Sequence, residues 1–150
     1  MVRSLPTIGW REWVSFPSLG IKAVKAKIDS GARTSVLHAY DITEYTRDHL
    51  PYVKFKVHPI QRNKQITIDS HARVLDKRIV RDSGGRTTER HVILTTMKLG
   101  ETLLDIELTL INRDEMGFRM LLGRSAIKNL FVIDPGRSYL QGQNPKRRKK

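Results

Sequence analysis

Residues 27–37 read Lys-Ile-Asp-Ser-Gly-Ala-Arg-Thr-Ser-Val-Leu, a short polar segment between two apolar ones. Before it, Val24, Ala26 and Ile28 recur at every second position, which is the period of a β-strand with one buried face. After it, Val36 and the next residue begin a second apolar segment. The polar Asp-Ser-Gly-Ala core therefore lies in a loop between two predicted strands.

A second short motif, Met-Leu-Leu-Gly-Arg at residues 120–124, comes late in the chain. Together the two motifs resemble the active-site signature of the retropepsins, the aspartic peptidases of retroviruses and their cellular relatives. The resemblance covers roughly residues 7–140 and is closest to the bacterial retropepsin-like branch often labelled ATP-dependent zinc protease. It implies a mostly β fold, a retropepsin-like acid-protease closed β-barrel with a flap hairpin and one short C-terminal helix.

The resemblance assigns the catalytic carboxylate to Asp29. It also gives an active-site loop of Ser30, Gly31 and Ala32 and a structural support of Leu122, Gly123 and Arg124. Hydrolysis of a peptide by water needs one group that accepts a proton and one that donates a proton. Two carboxyls about 3 Å apart meet this need, because like charges so close share one proton. One motif supplies one carboxyl, so the resemblance implies a homodimer with a two-fold axis.

An ordinary turn is the alternative interpretation of the first motif, since Asp, Ser and Gly are common turn residues. The same three letters recur at residues 82–84, between two alternating segments, where they predict a hairpin turn. The resemblance places the flap at Ser83, Gly84 and Gly85, with a plain hairpin turn as the alternative. The apolar strand that leads into Asp29 favours the catalytic interpretation there.

The chain departs from the viral pattern directly after the motif. The viral enzymes carry two acidic residues there, and the first commonly pairs with the arginine of the Gly-Arg element. Arg33 and Thr34 occupy these positions here. Arg33 cannot neutralise Arg124, which must use a backbone carbonyl or another carboxylate. We assign Arg33 and Thr34 to the substrate groove, where a cation would favour acidic side chains in the substrate.

Alternation and turn residues predict further elements. The predicted strands are 7–16, 21–28, 36–39, 52–58, 72–80, 87–99, 102–111, 131–133 and 137–140, and the predicted helix is 123–130. Residues 44–68 make the chain longer than a minimal viral enzyme and are interpreted as a solvated elaboration of unassigned role.

Composition sets the outer bounds. The 150 residues contain no cysteine and carry a net charge of +13. We predict one domain over residues 1–141, a disordered basic tail over 142–150, and a cytoplasmic protein without a membrane segment. We predict no cofactor and no metal site. A zinc-protease helix would need two histidines one turn apart beside a glutamate, and no such pair occurs among His38, His49, His58, His71 and His91.

Three functions follow from these observations. The first is a homodimeric aspartic endopeptidase that acts on an extended peptide, with an acidic peptide as the candidate substrate. The second is a catalytically idle module that binds acidic, glutamate-rich chains in the same groove. The third is a basic RNA-associated β protein, with weak polyanion binding through the tail.

Overall fold

The computed structural model describes residues 4–60, 65–81, 84–113 and 117–142. Its elements are β1 (Thr7–Gly9), β2 (Arg11–Phe16), β3 (Ile21–Asp29), β4 (Ser35–His38), β5 (Tyr40–Arg47), β6 (Leu50–Val57), β7 (Ile68–Arg81), β8 (Thr87–Leu99), β9 (Thr102–Ile111), β10 (Met120–Gly123), α1 (Arg124–Ile127) and β11 (Val132–Asp134). A single 3-10 turn at Pro17–Leu19 joins β2 to β3. Within the described residues, no helix is long and apolar enough to cross a membrane.

Six strands of the described part close into a barrel, in the order β2-β3-β10-β4-β9-β8, and Ser15 of β2 pairs with Lys98 of β8. Strands β7, β6 and β5 continue the sheet beyond β8, while β1 pairs with β11 separately. The predicted closed, retropepsin-like barrel is thus confirmed. Its core is formed by the inward side chains of alternating strands, among them Val14, Phe16, Ile93, Leu108 and Met120.

The predicted strand over residues 7–16 is wrong in one respect, because the chain bends at Trp10 and forms two strands in different sheets. Gly9 lies against the backbone of Arg137, where an added Cβ would be 2.2 Å from the carbonyl oxygen. The amide of Trp10 donates to that same oxygen at 2.8 Å. The close approach of the C-terminal segment therefore sets the bend.

The interpretation of residues 44–68 as a solvated elaboration is also wrong. Strand β6 buries Val53, Phe55 and Val57 in the main core. From β5, the carboxylate of Glu44 accepts hydrogen bonds from His91 at 3.1 Å and Lys77 at 3.2 Å. These hydrogen bonds lower the pKa of Glu44, and the one from His91 has the largest effect. The inserted hairpin therefore supports the stem of the β7–β8 hairpin.

The predicted helix is shorter than expected, since only the four residues of α1 are helical. Lys128 leaves the helical region, with ψ at 129°, and Asn129 adopts a left-handed φ of 66°. Residues 137–140 form no strand in the structure. The hairpins β7–β8 and β8–β9 are antiparallel as predicted. The predicted tail beyond residue 142 lies outside the described residues.

A buried carboxylate explains why residues 137–140 are irregular. Glu12 is fully buried in β2 and accepts three backbone hydrogen bonds, from Gly9 at 2.6 Å, Leu140 at 2.8 Å and Gln141 at 3.0 Å. Its two oxygens thus accept hydrogen bonds from backbone amides that would otherwise be available to pair with a neighbouring strand. One side chain thereby joins the start and the end of the domain.

We predict that Glu12→Gln destabilises the protein by about 2–3 kcal/mol, because an amide group replaces one acceptor oxygen with a donor that faces a buried N–H. Urea unfolding would measure the change. Glu101→Gln, at an exposed turn, is the matched control and should shift stability by less than about 0.5 kcal/mol. Equal effects of the two substitutions would contradict the role of Glu12.

Candidate active site

The Asp-Ser-Gly-Ala loop begins where β3 ends, at Asp29. The amide of Ala32 donates to the carbonyl of Asp29 at 3.1 Å, which turns the chain back toward β4. The side chain of Asp29 is half-buried, while Ser30 and Gly31 are exposed. The carboxylate is therefore accessible at the strand end, in a turn that forms part of the barrel.

The second motif lies directly beside the first. Strand β10 pairs with β3 in parallel, and Gly123 is in register with Asp29. Beyond this pair, the amide of Arg124 donates to Ala32 at 2.7 Å and that of Ser125 donates to Arg33 at 3.0 Å. The hydroxyl of Ser125 also donates to the Arg33 carbonyl. The two motifs, distant in sequence, thus form one hydrogen-bonded unit.

Gly123 is required by this close packing. A Cβ at this position would be 2.6 Å from the carbonyl carbon of Thr34 and 3.0 Å from the carbonyl oxygen of Arg33. Both are backbone atoms, which cannot move away without opening the loop. The Gly123 amide also donates to the hydroxyl of Ser35 at 3.0 Å. The neighbouring Leu122 is fully buried and anchors β10 in the core.

Gly31 differs from Gly123. In the described part of the chain, a Cβ at Gly31 would meet only Oδ1 of Asp29, at 3.5 Å, which is an ordinary contact. The space over Gly31 is open to a partner or a substrate.

Arg124 uses one of the two kinds of acceptor expected from the sequence. Its Nη1 donates to the backbone carbonyl of Ser30 at 3.1 Å. The bond ties the start of α1 to the loop beside Asp29, in place of the carboxylate that the viral pattern provides. Because the side chain is exposed, the bond positions the loop more than it stabilises the fold.

Arg33 and Thr34 line a cavity of about 640 Å³ between the loop, α1 and the β7–β9 sheet. Two acids also line it, but Asp105 accepts from Thr96 at 2.8 Å and Glu107 from Arg78 at 3.0 Å. The guanidinium of Arg33 has no hydrogen bond or ion pair within the described part of the chain. It is exposed and available to a ligand.

The predicted flap lies at the turn between β7 and β8. Gly84 and Gly85 are exposed there, and Gly85 has a positive φ of 86° that favours glycine. Nothing lies within 4 Å of a Cβ built on Gly85. Ser83 lies outside the described residues. The hairpin is present, and its role as a flap remains a prediction.

The sequence interpretation missed two cations on the face that carries Asp29. Lys27 is two residues before Asp29 in β3, and Leu121 of β10 is in register with it. Arg119 directly precedes β10, and its carbonyl continues the β10–β4 ladder by accepting from the amide of His38 at 2.8 Å, so the alternation of β10 extends to Arg119 and places it on the same face as Leu121. Period two alone would have indicated Lys27, but Arg119 becomes a neighbour only through the parallel pairing of β10 with β3.

Among residues 4–60, 65–81, 84–113 and 117–142, no three His, Asp or Glu side chains gather where they could hold a metal ion.

Comparison with known proteins finds close relatives among longer chains. The chain is 45% identical over 136 residues to a protein of Shewanella pealeana and 48% identical over 136 residues to one of Desulfotalea psychrophila, both named probable alpha-L-glutamate ligase. These alignments cover 91% of this chain. The chain spans only about 30% of the length of these relatives.

A solved structure and a family model match nearly the whole chain. A Legionella pneumophila protein of unknown function has 27% identity and a TM-score of 0.76, and the match covers 92% of this chain and 99% of that one. The model of the retropepsin-like aspartic endopeptidase RimB matches residues 7–144. The chain therefore belongs to the RimB-like family of retropepsin-like aspartic endopeptidases.

Proposed function

We propose that this chain is an aspartic endopeptidase that hydrolyses peptide bonds with a water molecule activated by two Asp29 carboxyls. The observation that carries the proposal is the register of Gly123 with Asp29, which joins the two motifs into one rigid loop. A plain turn would need neither the crowded Gly123 nor the bond from Arg124 to Ser30. Both features hold the Asp29 loop in a fixed form, as preorganised catalysis requires.

The second carboxyl comes from a second copy of the chain. A two-fold axis beside Asp29 brings the two carboxyls together and makes the contact isologous. The open space over Gly31 supports this arrangement, because a partner's loop can approach there without meeting a side chain. Ser30, which is exposed beside it, then has a hydroxyl available for a bond across the axis.

Catalysis needs the two carboxyls in different states. One ionised Asp29 takes a proton from water while the water oxygen bonds to the scissile carbonyl carbon, and the protonated mate gives its proton to the carbonyl oxygen. These two transfers give a gem-diol intermediate, whose C–N bond then breaks. The departing amine takes the proton that the first carboxyl accepted, and a diol proton returns to the second. The pair thus regains its starting state.

The substrate lies extended between the Asp29 loop and the β7–β8 hairpin. The turn residues Ser83, Gly84 and Gly85 act as the flap that covers the bound chain and excludes water. Gly84 and Gly85 are exposed, which lets backbone amides come close to a peptide. Glu44 and its bonds to Lys77 and His91 fix the stem of this hairpin, so motion is confined to the tip.

The preferred substrate is an acidic peptide. Arg33 presents an unpaired guanidinium in the cavity that flanks the loop. The relatives named glutamate ligases support this choice, since their products would contain glutamate. The ligase name belongs to chains of which this one spans about 30%, and we do not transfer the ligase activity to it.

The binding module without catalysis uses the same groove and the same cations, so it differs from the peptidase in one property. A peptidase loses turnover when Asp29 can no longer share a proton, whereas a binding module keeps its affinity and never shows turnover. The RNA-associated alternative has steep salt dependence of polyanion binding and no dependence on Asp29.

We predict that Asp29→Asn lowers peptide cleavage more than about a hundredfold, because an amide cannot exchange the proton that general acid and base catalysis needs. Cleavage of an acidic peptide, followed by mass spectrometry, measures the effect. Asp48→Asn, in the exposed β5–β6 turn, is the matched control and should cleave like the parent chain. A chelator should leave the parent rate unchanged. Undiminished hydrolysis by pure Asp29→Asn would refute the aspartic mechanism.

We predict that Arg33→Ala removes most of the preference for glutamate over glutamine near the scissile bond, with a change of about 1 kcal/mol, because the pair is exposed to solvent. The ratio of kcat/KM for matched peptides measures it. The backbone carbonyl of Arg33 still accepts from Ser125, so the loop should persist. Lys128→Ala, which removes an exposed charge near the end of α1, should leave the ratio intact. An unchanged ratio in Arg33→Ala would show that this side chain does not face the substrate.

A further inference from the structure

The face that carries Asp29 extends along β10 toward Arg119. The amide of His38 donates to the carbonyl of Arg119 at 2.8 Å, which continues the β10–β4 ladder one residue beyond Met120. Alternation then puts Arg119, Leu121 and Gly123 on one side, together with Asp29. Arg119 lies four residues from Gly123, about 13 Å along the strand. Arg33 precedes β4, whereas Arg119 flanks the other end of β4.

Arg119 is only 4% exposed, and its Nε has no hydrogen-bond partner in the described part of the chain. A buried guanidinium nitrogen without an acceptor is costly, because its N–H has lost a hydrogen bond to water and gained none in return. Two other arginines near the groove have acceptors: Arg78 contacts Glu107 at 3.0 Å and Asp76 at 3.1 Å, and Arg124 donates to Ser30. Arg33 is exposed to solvent, whereas the unpartnered Nε of Arg119 is buried.

A second arginine lies in the same cross-sheet row. His38 is in register with Ile111 of β9. The β8–β9 pairing ends at Val92 with Thr109, and extending this antiparallel register by two residues brings Arg90 level with Ile111. The Nε of Arg90 is also buried without a partner. Burial, and then repulsion from Arg113, lowers the pKa of Arg90. Positive charges thus collect at this end of the face, two of them with buried nitrogens that lack an acceptor.

We infer that Arg119 binds a side-chain carboxylate of the substrate, at a residue within about four positions of the scissile bond. The inference rests on the proposed function, since the ligand is the acidic peptide that lies along the Asp29 face. A carboxylate would supply the acceptor that the buried Nε of Arg119 lacks. Arg119 thereby selects acidic side chains independently of Arg33.

The experiment measures binding in the Asp29→Asn background, where cleavage cannot consume the peptide. The probes are an acetylated and amidated peptide of alternating glutamate and alanine and its glutamine counterpart, titrated by calorimetry. Arg119→Met should raise the Kd of the glutamate peptide about tenfold and leave that of the glutamine peptide unchanged. The Kd of Arg119→Lys for the glutamate peptide should lie between those of the parent and of Arg119→Met. Lys98→Gln, which removes one exposed charge from β8, is the control and should bind both peptides like the parent.

Unfolding in urea gives a second readout. Because Arg119→Met replaces a buried charged side chain, whose Nε has no partner in the described residues, with an apolar side chain of similar length, the unfolding midpoint should stay the same or rise while glutamate binding falls. A purely structural Arg119 would show the reverse, a lower midpoint and equal weakening for both peptides. That result, or an unchanged glutamate Kd in Arg119→Met, would overturn the inference. The inference would also be overturned if Arg119→Met weakened the binding of a short polyuridylate as much as it weakened the binding of the glutamate peptide.

Failure of the proposed function gives a different pattern. If the parent chain cleaves neither peptide but Arg119→Met still loses glutamate binding selectively, the carboxylate site stands and the peptidase does not. If the parent cleaves and Asp29→Asn does not, while Arg119→Met binds both peptides normally, the peptidase stands and the assignment of Arg119 falls.

Discussion

The parallel pairing of β10 with β3 is the contact on which the rest of the site depends. It places Gly123 opposite Asp29, and the backbone of residues 33–34 comes so close that a Cβ on Gly123 would be 2.6 Å from the carbonyl carbon of Thr34. A parallel pair needs a long crossover, so the intervening strands β4 to β9 have to fold between the two motifs. The Asp29 loop is therefore held by the closure of the barrel, and local turn preference is a minor contribution.

Much of this arrangement could be predicted from the sequence, because its signals are local. Alternation identified β3, β6, β8 and β9, and the two motifs indicated the barrel. The errors came from long-range contacts. Nothing near Trp10 in sequence announces that the backbone of Arg137 will approach Gly9, and nothing near residues 137–140 announces that Glu12 will take their amides. The helix was overextended because its apolar pattern continues past Asn129, where the backbone turns left-handed.

The site shows the same division between features that local sequence signals indicate and features that depend on long-range contacts. Asp29, Gly123 and the loop between β3 and β4 follow from motif letters, and Arg124 was expected to find an acceptor such as a backbone carbonyl. Arg119 carries no such signal. In sequence it stands in a loop beside two apolar residues, and only the register of β10 with both β3 and β4 puts it on the Asp29 face. A functional side chain that depends on strand register cannot be found from local periodicity.

Charge connects the fold to the proposed chemistry. Lys27 and Arg33 are exposed near the Asp29 loop, and Arg90 and Arg119 each have a buried Nε without an acceptor in the described part of the chain. A protein selected for stability alone would give such buried nitrogens an acceptor, since their burial costs free energy. Retaining them makes sense when the acceptor arrives with the ligand. The affinity for an acidic chain would then include the hydrogen bonds that these nitrogens gain on binding.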